Sequence, residues 1–170
     1  MSERQLGKQH AVYIALGTNV GHRVANLRQA LEQLPPQVEV LSVSRLYETE
    51  AAYVVDQAAF LNMAVKAQTE LSPEALLIYL KQIEQALGRQ KTKRYGPRSI
   101  DLDIIFYDDL VLETPTLQIP HPRMQERGFV LAPLSDIGPE VEHPKLGQTV
   151  AELFDQLPAE HGILKVKEWV

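Results

Sequence analysis

Residues 98–106 read RSIDLDIIF, an alternation of apolar and polar side chains with the two-residue period of a β-strand. The apolar side chains at the even positions 100–106 are expected to face a core, whereas Asp101 and Asp103 share the opposite face. Two adjacent carboxylates repel each other unless a cation lies between them, and Mg²⁺ prefers one or two carboxylates combined with water and phosphate oxygens. The stretch therefore predicts a strand that carries an Mg²⁺ site, with a solvated strand face as the alternative.

The residues just before this strand are strongly basic. Of the 17 lysines and arginines, a cluster lies directly ahead of the strand, at Arg89, Lys91, Lys93, Arg94 and Arg98. Because the segment leads into Asp101 and Asp103, we expect its cations to lie over the two aspartates and to bind a polyphosphate. Arginine suits this role because its planar group makes bidentate contacts with phosphate. The alternative is a solvated basic loop without a ligand.

The wider sequence predicts an α+β fold. Strands are predicted at 11–17, 38–48, 60–68 and 99–107, and helices at 24–34 and 72–88. This β-α-β-β-α-β order is the ferredoxin-like pattern, a sandwich in which two helices pack on one face of an antiparallel sheet. Within the predicted strand 38–48, the two-residue period puts four side chains on one face: Leu41, Val43, Arg45 and Tyr47. Leu110–Glu113 is expected to form a hairpin with the strand 99–107, followed by short helices around 122–136 and 149–157 and a strand at 163–168.

The composition is that of an ordinary globular protein. The chain has 170 residues, of which 45% are apolar and 23% are charged. We expect 1–170 to form a single domain, with 1–10 as a flexible N-terminal extension that is not a signal peptide. Cysteine is absent, which excludes disulfides and thiolate metal sites and suits the cytoplasm. No apolar run reaches the roughly 20 residues that cross a bilayer, and the net charge of −5 argues against nucleic-acid binding.

Two further segments carry groups that could contact a ligand. Residues 119–129 hold His121 between two prolines, which restrain its backbone, and Arg127 follows in the same segment. Residues 47–62 end with Phe60 close to Asn62, and an aromatic ring beside an amide can stack on and hydrogen-bond a flat heterocycle. Taken alone, His121 and Arg127 are more simply explained as surface or capping groups, and Phe60 equally well as a core residue.

Together, these segments resemble the 6-hydroxymethyl-7,8-dihydropterin pyrophosphokinase family. The resemblance covers residues 12–140 and includes ALGTN at 15–19, YET at 47–49, FLN at 60–62, GR at 88–89, YGPRSIDLD at 95–103, PH at 120–121 and RGF at 127–129. It implies transfer of the β,γ-pyrophosphoryl unit of ATP to the pterin hydroxymethyl oxygen, with release of AMP, in folate biosynthesis. The sequence contains no P-loop and no protein-kinase motif set, so another kind of phosphate site is expected.

The resemblance also implies roles for individual residues. Asp101 and Asp103 would hold two Mg²⁺ ions, while Arg89 and Arg98 would grip the phosphates and stabilise charge during the transfer. The expected ATP contacts are Glu84, Lys91, His121 and Arg127. The expected pterin contacts are Thr49, Phe60, Asn62, Tyr95 and Phe129.

The sequence departs from the family's pattern near the expected pterin site. The family usually has proline after the Thr49 position and again before the aromatic-Leu-Asn triplet, where this chain has Glu50-Ala51 and Ala58-Ala59. Because proline fixes φ, we expect the loop geometry to differ more than the chemistry. Tyr95 stands where the family commonly has tryptophan, so it offers less surface for stacking.

Two other functions are compatible with the same residues. Another metal-dependent nucleotide enzyme, such as a nucleotidyltransferase or a phosphohydrolase, could use Asp101 and Asp103. A non-catalytic ferredoxin-like module could bind a small regulator or another subunit without Mg²⁺. For this chain we expect small-molecule substrates, ATP and a reduced hydroxymethylpterin, with no nucleic-acid or membrane partner, and we expect a monomer.

Overall fold

The structure is a computed structural model that describes residues 7–49, 59–88, 100–158 and 162–169. Its strands are β1 (His10–Thr18), β2 (Val38–Val43), β3 (Leu46–Thr49), β4 (Phe60–Thr69), β5 (Asp101–Tyr107), β6 (Leu112–Glu113), β7 (Gln118–Ile119) and β8 (Ile163–Lys167). Its helices are α1 (Arg23–Gln33), α2 (Pro73–Ala86), α3 (Gly128–Ile137) and α4 (Val150–Asp155), with a 3₁₀ turn at Met124–Glu126.

The main sheet is antiparallel and has the strand order β5-β1-β4-β3-β8, with β2 also paired to β4. When β2 and β3 are counted as one interrupted strand, the first four positions have the ferredoxin-like order. The predicted α+β fold is therefore confirmed. The predicted C-terminal strand is also confirmed as β8, which pairs with β3 at the edge of the sheet.

Helices cover both faces of the main sheet. On one face, Val12, Ile14 and Leu16 of β1 pack with the buried stripes of α1 and α2. On the other face, Tyr13 of β1 and Phe106 of β5 pack against α3 and α4. Both sides of β1 are used because successive side chains of a strand point to opposite faces. The two predicted sheet-packing helices, α1 and α2, thus share a face, and the opposite side is called the α3 face below.

The prediction of one continuous strand over 38–48 is wrong, because Ser44 interrupts it. The Ser44 hydroxyl accepts a hydrogen bond from the N–H of Ala64 at 2.9 Å, and the register between β2 and β4 shifts within β2. As a result, Leu41 and Val43 are 49% and 42% exposed, whereas Tyr47 is 3% exposed. The side chains that were predicted to share one face therefore lie in different environments.

Strand β5 follows most of the predicted alternation. The side chains of Ile100, Leu102 and Ile104 are buried with α1 and α2, as expected. Phe106 is buried as predicted. It does not share the face of the other three, because a register shift with β1 inserts Ile105 as an extra residue and turns Phe106 to the α3 face. Such a bulge depends on the partner strand as well as on the bulged sequence.

The predicted hairpin between Leu110–Glu113 and β5 is wrong, since β6 pairs with β7 instead. Asp108, with φ of 49°, turns the chain at the end of β5. Its N–H donates to the carbonyl of Ala11 at 2.7 Å, and its carboxylate accepts from the N–H of Ala11 at 2.8 Å. The turn is therefore bound to the start of β1 and not to a returning strand.

The remaining elements agree with the short helices predicted after residue 122, which are the 3₁₀ turn, α3 and α4. Of the predicted N-terminal extension 1–10, residues 1–6 lie outside the described residues, and His10 begins β1. The N–H of Gly7 donates to the carboxylate of Glu70 at 2.9 Å. Within the described ranges, no helix combines the length and the apolar character needed to cross a membrane.

Candidate active site

Two rows of paired residues cross the main sheet where β1 ends. One row contains Asp101, Gly17, Asn62 and Tyr47, and the neighbouring row contains Asp103, Ala15 and Ala64. Directly opposite residues of antiparallel strands point to the same face, and Ala15 and Ala64 pack on the α3 face. The expected Mg²⁺ ligands and the expected pterin contact Asn62 therefore share this face. One strand separates them, which corresponds to a backbone distance of about 10 Å.

Asp101 and Asp103 lie beside the two smallest residue types, since their partners on β1 are Gly17 and Ala15. A β-carbon on Gly17 would stand 2.7 Å from Oδ1 of Asn62, so the absence of a side chain at Gly17 lets the Asn62 amide lie over β1. Two carboxylates on one face of a strand fit Mg²⁺, which completes its coordination with water and phosphate oxygens. In the described part of the chain, no three His, Cys, Asp or Glu side chains form a group that could hold a metal alone.

His121 lies near Asp103, since its backbone N–H donates to the carbonyl of Ile105 at 3.1 Å and the charge of Asp103 acts on its ring. Its ring Nδ1 accepts from the N–H of Arg123 at 3.3 Å, which places the proton of the neutral ring on Nε2. Burial lowers the pKa of His121, the negative charge of Asp103 opposes this shift, and the positive charge of Arg127 reinforces it. A neutral imidazole in this position can donate a hydrogen bond to a phosphate oxygen through Nε2–H.

Arg127 and Phe129 are positioned by the start of α3. Arg127 directly precedes the helix, and its backbone N–H donates to the carbonyl of Met124 at 3.1 Å. Its guanidinium carbon lies 5.5 Å from the centre of the Phe129 ring, an attractive cation–π arrangement. The 3₁₀ turn and the helix thus bring His121, Arg127 and Phe129 together on one segment.

Three of the expected pterin contacts form one cluster on β3 and β4. Thr49 pairs with Phe60 across the two strands, and Nδ2 of Asn62 donates to Oγ1 of Thr49 at 2.7 Å. Thr49 and Asn62 are buried, and Phe60 is half-buried. Because Thr49 fixes the Nδ2 group, the amide oxygen of Asn62 is directed over Gly17, where it can accept a hydrogen bond. An oriented amide beside an aromatic ring suits a flat heterocycle.

Glu84 of α2 is bound to the backbone of β5. Its side chain is 2% exposed, and Nζ of Lys81 lies 3.4 Å from its Oε1. Its Oε2 accepts from the N–H of Leu102 at 2.7 Å. Leu102 lies between the two aspartates in the sequence, so Glu84 fixes the part of β5 that carries them. The contact with ATP that was expected for Glu84 stays a prediction.

Four expected site residues lie outside the described residues: Arg89, Lys91, Tyr95 and Arg98. The same holds for the loop positions 50–58, where the chain departs from the family's proline pattern. The roles expected for them in phosphate and pterin binding stay predictions.

Sequence reasoning missed a polar network that ties α3 to the site strands. Nη2 of Arg45 lies 3.0 Å from Oδ1 of Asp136, and the hydroxyl of Tyr47 donates to Oδ2 of Asp136 at 2.8 Å. Burial raises the pKa of Tyr47 to about 12, and the bond to Asp136 adds to this shift. Burial opposes ionisation of Asp136, but the hydrogen bonds from Arg45 and Tyr47 hold its pKa below the usual value.

A second missed contact joins α1 to β3 and β4. Arg23 donates to the carboxylate of Glu48 and to the carbonyl of Ala59. In the sequence, the opposite charge of the two residues is the only signal for the Arg23–Glu48 and Arg45–Asp136 ion pairs. Charges separated by 25 or 91 residues can be paired only when the strand register is known.

The fold and the site define a class of protein: an α+β, ferredoxin-like domain whose sheet carries a carboxylate pair on the same face as a buried, hydrogen-bonded Thr–Asn pair. Such a site suits a metal-bound polyphosphate together with a flat ligand. The chain belongs to the 7,8-dihydro-6-hydroxymethylpterin-pyrophosphokinase (HPPK) family, whose model matches residues 13–139. This match confirms the resemblance to the pyrophosphokinase family that the sequence motifs indicated over residues 12–140.

Relatives of two lengths match this chain. The 2-amino-4-hydroxy-6-hydroxymethyldihydropteridine pyrophosphokinase of Bacillus subtilis (strain 168) is 51% identical over 132 residues, which cover 76% of this chain and 79% of that protein. Folic acid synthesis protein fol1 of Pneumocystis carinii is 45% identical over 157 residues, which cover 92% of this chain and 21% of that protein. The chain thus spans about a fifth of the longer relative.

A solved structure confirms the fold. The crystal structure of wild-type Plasmodium falciparum HPPK-DHPS with pteroate matches with a TM-score of 0.73 and 17% identity. The match covers 90% of this chain and 43% of that chain. At this identity the likeness concerns the fold and not the ligands.

Proposed function

We propose that this chain transfers the pyrophosphoryl group of ATP to the hydroxymethyl oxygen of 6-hydroxymethyl-7,8-dihydropterin in folate biosynthesis. The observation that carries the proposal is the row Asp101, Gly17 and Asn62, which puts a carboxylate and a buried amide on one face of the sheet. Membership of the HPPK family supports the same reaction. A bond forms between the hydroxymethyl oxygen and the β-phosphorus, and the hydroxyl proton is released to solvent. The bond from the β-phosphorus to the oxygen bridging to the α-phosphate breaks, and AMP leaves.

Asp101 and Asp103 would hold two Mg²⁺ ions. When bound, Mg²⁺ neutralises phosphate charge and orients the reacting oxygens. Phosphoryl-type transfer needs positioning and charge stabilisation more than a covalent nucleophile. A site built from carboxylates, an imidazole and guanidinium groups meets this need.

On the phosphate side, His121 would donate Nε2–H to a phosphate oxygen, and Arg127 would add positive charge from the start of α3. Glu84 would contribute to the ATP site while holding β5 through Leu102. The resemblance assigns the remaining phosphate contacts to the basic segment. These are Arg89, Lys91 and Arg98, of which Arg89 and Arg98 would stabilise charge during the transfer.

On the pterin side, the amide oxygen of Asn62 would accept a hydrogen bond from a ring N–H. Thr49 holds that amide through its hydroxyl. The rings of Phe60 and Phe129 would pack against the pterin, and the resemblance adds Tyr95. Packing the pterin against these side chains excludes water from the reacting groups, which strengthens the electrostatic interactions in the site.

The proposal is tested by incubating the protein with ATP, Mg²⁺ and 6-hydroxymethyl-7,8-dihydropterin and separating all products. We expect AMP and the pterin diphosphate in equal amounts. ADP with a pterin monophosphate would identify a γ-phosphoryl kinase. AMP with free pyrophosphate and unmodified pterin would identify a nucleotide hydrolase, and either outcome would overturn the proposal.

We further propose that 1–170 acts as a single domain and a monomer in the cytoplasm. The shared main sheet supports the single domain, since α1 to α4 all pack on it or on each other. The lack of cysteine is consistent with a reducing compartment. Light scattering of the purified protein tests the monomer, and cell fractionation tests the location.

A further inference from the structure

Arg23 makes two hydrogen bonds, and each acceptor is the chain neighbour of an expected pterin contact. It is the first residue of α1, and its Nη2 donates to Oε2 of Glu48 at 2.5 Å. Its Nη1 donates to the backbone carbonyl of Ala59 at 3.0 Å. Both charged side chains are largely covered, with exposures of 25% for Arg23 and 22% for Glu48.

The two acceptors have a specific place in the chain. Glu48 directly precedes Thr49, the last residue of β3, and Ala59 directly precedes Phe60, the first residue of β4. Thr49 and Phe60 form the last pair of the β3–β4 ladder. Arg23 therefore links Glu48 to Ala59, the residues that directly precede Thr49 and Phe60.

The guanidinium group suits such a bridge. It is planar and presents its N–H groups in a fixed fork, so two bonds from one group set the spacing of their two acceptors. A lysine ammonium is a single point charge on a flexible stem and lacks this fixed spacing. The hydrogen bond from Arg23 also lowers the pKa of Glu48, so this acceptor is ionised at neutral pH.

The bridge from Arg23 to Glu48 and Ala59 supports the end of the β3–β4 ladder, which the strand pairing itself does not. The ladder already pairs Tyr47 with Asn62, Glu48 with Leu61 and Thr49 with Phe60. The carbonyl of Ala59 lies beyond the last of these pairs, at the end where a ladder loosens first. A bond from helix α1 to this carbonyl holds the end of the ladder from outside the sheet.

We propose that Arg23 is a positioning residue for pterin binding. By bridging Glu48 and Ala59 it fixes the pair Thr49–Phe60, and through the Thr49 hydroxyl it fixes the amide of Asn62. Arg23 would touch neither substrate. The inference rests on the proposed function, because it assumes that Thr49, Phe60 and Asn62 contact the pterin.

The test compares Arg23→Met and Arg23→Lys with the wild-type protein in steady-state kinetics and in binding of each substrate. We expect Arg23→Met to raise KM for the pterin roughly ten-fold, by analogy with the outer partners of metal ligands, whose loss costs about 10–100-fold. The affinity for Mg²⁺ and an ATP analogue should stay at the wild-type value. Arg23→Lys should give an intermediate KM, because it keeps the charge but not the two-point bridge.

Glu48 and Lys145 supply the matched controls. Glu48→Gln keeps an oxygen acceptor for Arg23 and should bind pterin almost as well as wild type, whereas Glu48→Ala should resemble Arg23→Met. Lys145→Met removes the cation of another ion pair, at 2.7 Å from Glu113, which touches no expected site residue among those the structure describes. This variant should leave both KM values unchanged.

The outcomes separate the two proposals. If Arg23→Met binds pterin as well as wild type, or loses pterin and ATP affinity equally, Arg23 is an ordinary structural ion pair and the inference is wrong. If Glu48→Gln is as defective as Glu48→Ala, charge and not the bridge is responsible. A wild-type protein that neither binds nor converts the pterin would overturn the proposed function, and the role of Arg23 with it.

Discussion

A methyl group added to Gly17 would lie 2.7 Å from Oδ1 of Asn62, closer than such atoms pack. Nδ2 of Asn62 is bound to Thr49, so the amide can move away only by weakening that bond. We expect Gly17→Ala to weaken pterin binding by roughly ten-fold, the equivalent of one lost hydrogen bond. We also expect the free energy of unfolding to fall by about 1–3 kcal/mol through overpacking. Titration calorimetry and urea denaturation measure the two effects.

Gly147→Ala is the matched control for this substitution. Gly147 has φ of 68°, and its added β-carbon would have no atom within 4 Å. Alanine there strains the backbone by about 1–2 kcal/mol without touching the site. Pterin affinity should therefore be unchanged in this variant. A similar loss of affinity in both variants would show that lower stability, and not the contact with Asn62, weakens binding.

Substitutions of Asp101 and Asp103 are expected to lower activity without lowering stability. We expect Asp101→Asn and Asp103→Asn each to lower kcat by about 10³-fold or more, because charge neutralisation carries most of the catalysis in such a reaction. Stability without metal should change little or rise, since the repulsion between two neighbouring carboxylates is removed. Steady-state assays and urea denaturation of each purified variant check both statements.

Asp109→Asn is the control for the aspartate variants. Asp109 is exposed in the turn after β5, beyond the end of the strand opposite to Asp101, so its loss removes the same charge outside the expected metal site. Its activity should match that of wild type. Near-normal turnover in Asp101→Asn or Asp103→Asn would remove the metal site from the proposed mechanism.

Strand β5 owes part of its position to helix α2, through the bond from the N–H of Leu102 to Glu84. Glu84→Ala leaves this N–H without that acceptor, and we expect a loss of about 1–3 kcal/mol in the free energy of unfolding. Glu84→Gln keeps an oxygen acceptor and should lose less. Urea denaturation of both variants decides the point. Equal losses would show that the charge next to Lys81, and not the hydrogen bond to β5, is what stabilises this contact.

Single elements also show what the sequence can predict. The alternation in β5 was sufficient to put Asp101 and Asp103 on one face, because a two-residue period is a local property. The orientation of Phe106 was not predictable, since the bulge at Ile105 arises from the pairing with β1. The break at Ser44 likewise depends on its bond to Ala64 of another strand.

Across the whole molecule, the stability of the fold is expected to depend on pH through the buried His143. Its Nδ1 accepts from the N–H groups of Lys145 and Leu146, each at 3.2 Å. Burial lowers the pKa of His143, and the charge of Lys145 lowers it further. Protonation would put a hydrogen on Nδ1 and break both bonds. The native state therefore holds a neutral ring.

The direction of the pH effect follows from this lowered pKa. Between the folded pKa and the unfolded value of about 6.5, the unfolded chain binds more protons, so stability rises with pH. The contribution is fully present above about pH 6.5 and is lost as the pH falls through the folded pKa. It amounts to at most about 1.4 kcal/mol per pH unit. Urea denaturation at pH 7.5 and 5.5 should show a larger loss for wild type than for His143→Gln, and equal losses would exclude His143 as the cause.

The order of elements was enough to predict the ferredoxin-like sheet, because few topologies are compatible with β-α-β-β-α-β. The motifs were enough to propose the aspartates and Asn62 as site residues, and their roles stay predictions. The partner of β8 could not be predicted, since its pairing with β3 joins distant parts of the chain. The bridge made by Arg23 was missed for the same reason, because it needs the register of β3 and β4 to bring its acceptors together.

The pairing of β8 with β3 also has a consequence for the newly made chain. Of the elements in the main sheet, β8 is the last to be synthesised. While residues 163–167 are still inside the ribosome, β3 lacks this partner, although β1, β4 and β5 can already pair. The nascent protein would thus carry its two carboxylates on a formed sheet while the strand with Thr49 is still supported on one side only. The pairing of β3 with β8, and with it the support of Thr49 from both sides, is therefore expected only after residue 167 has left the ribosomal tunnel.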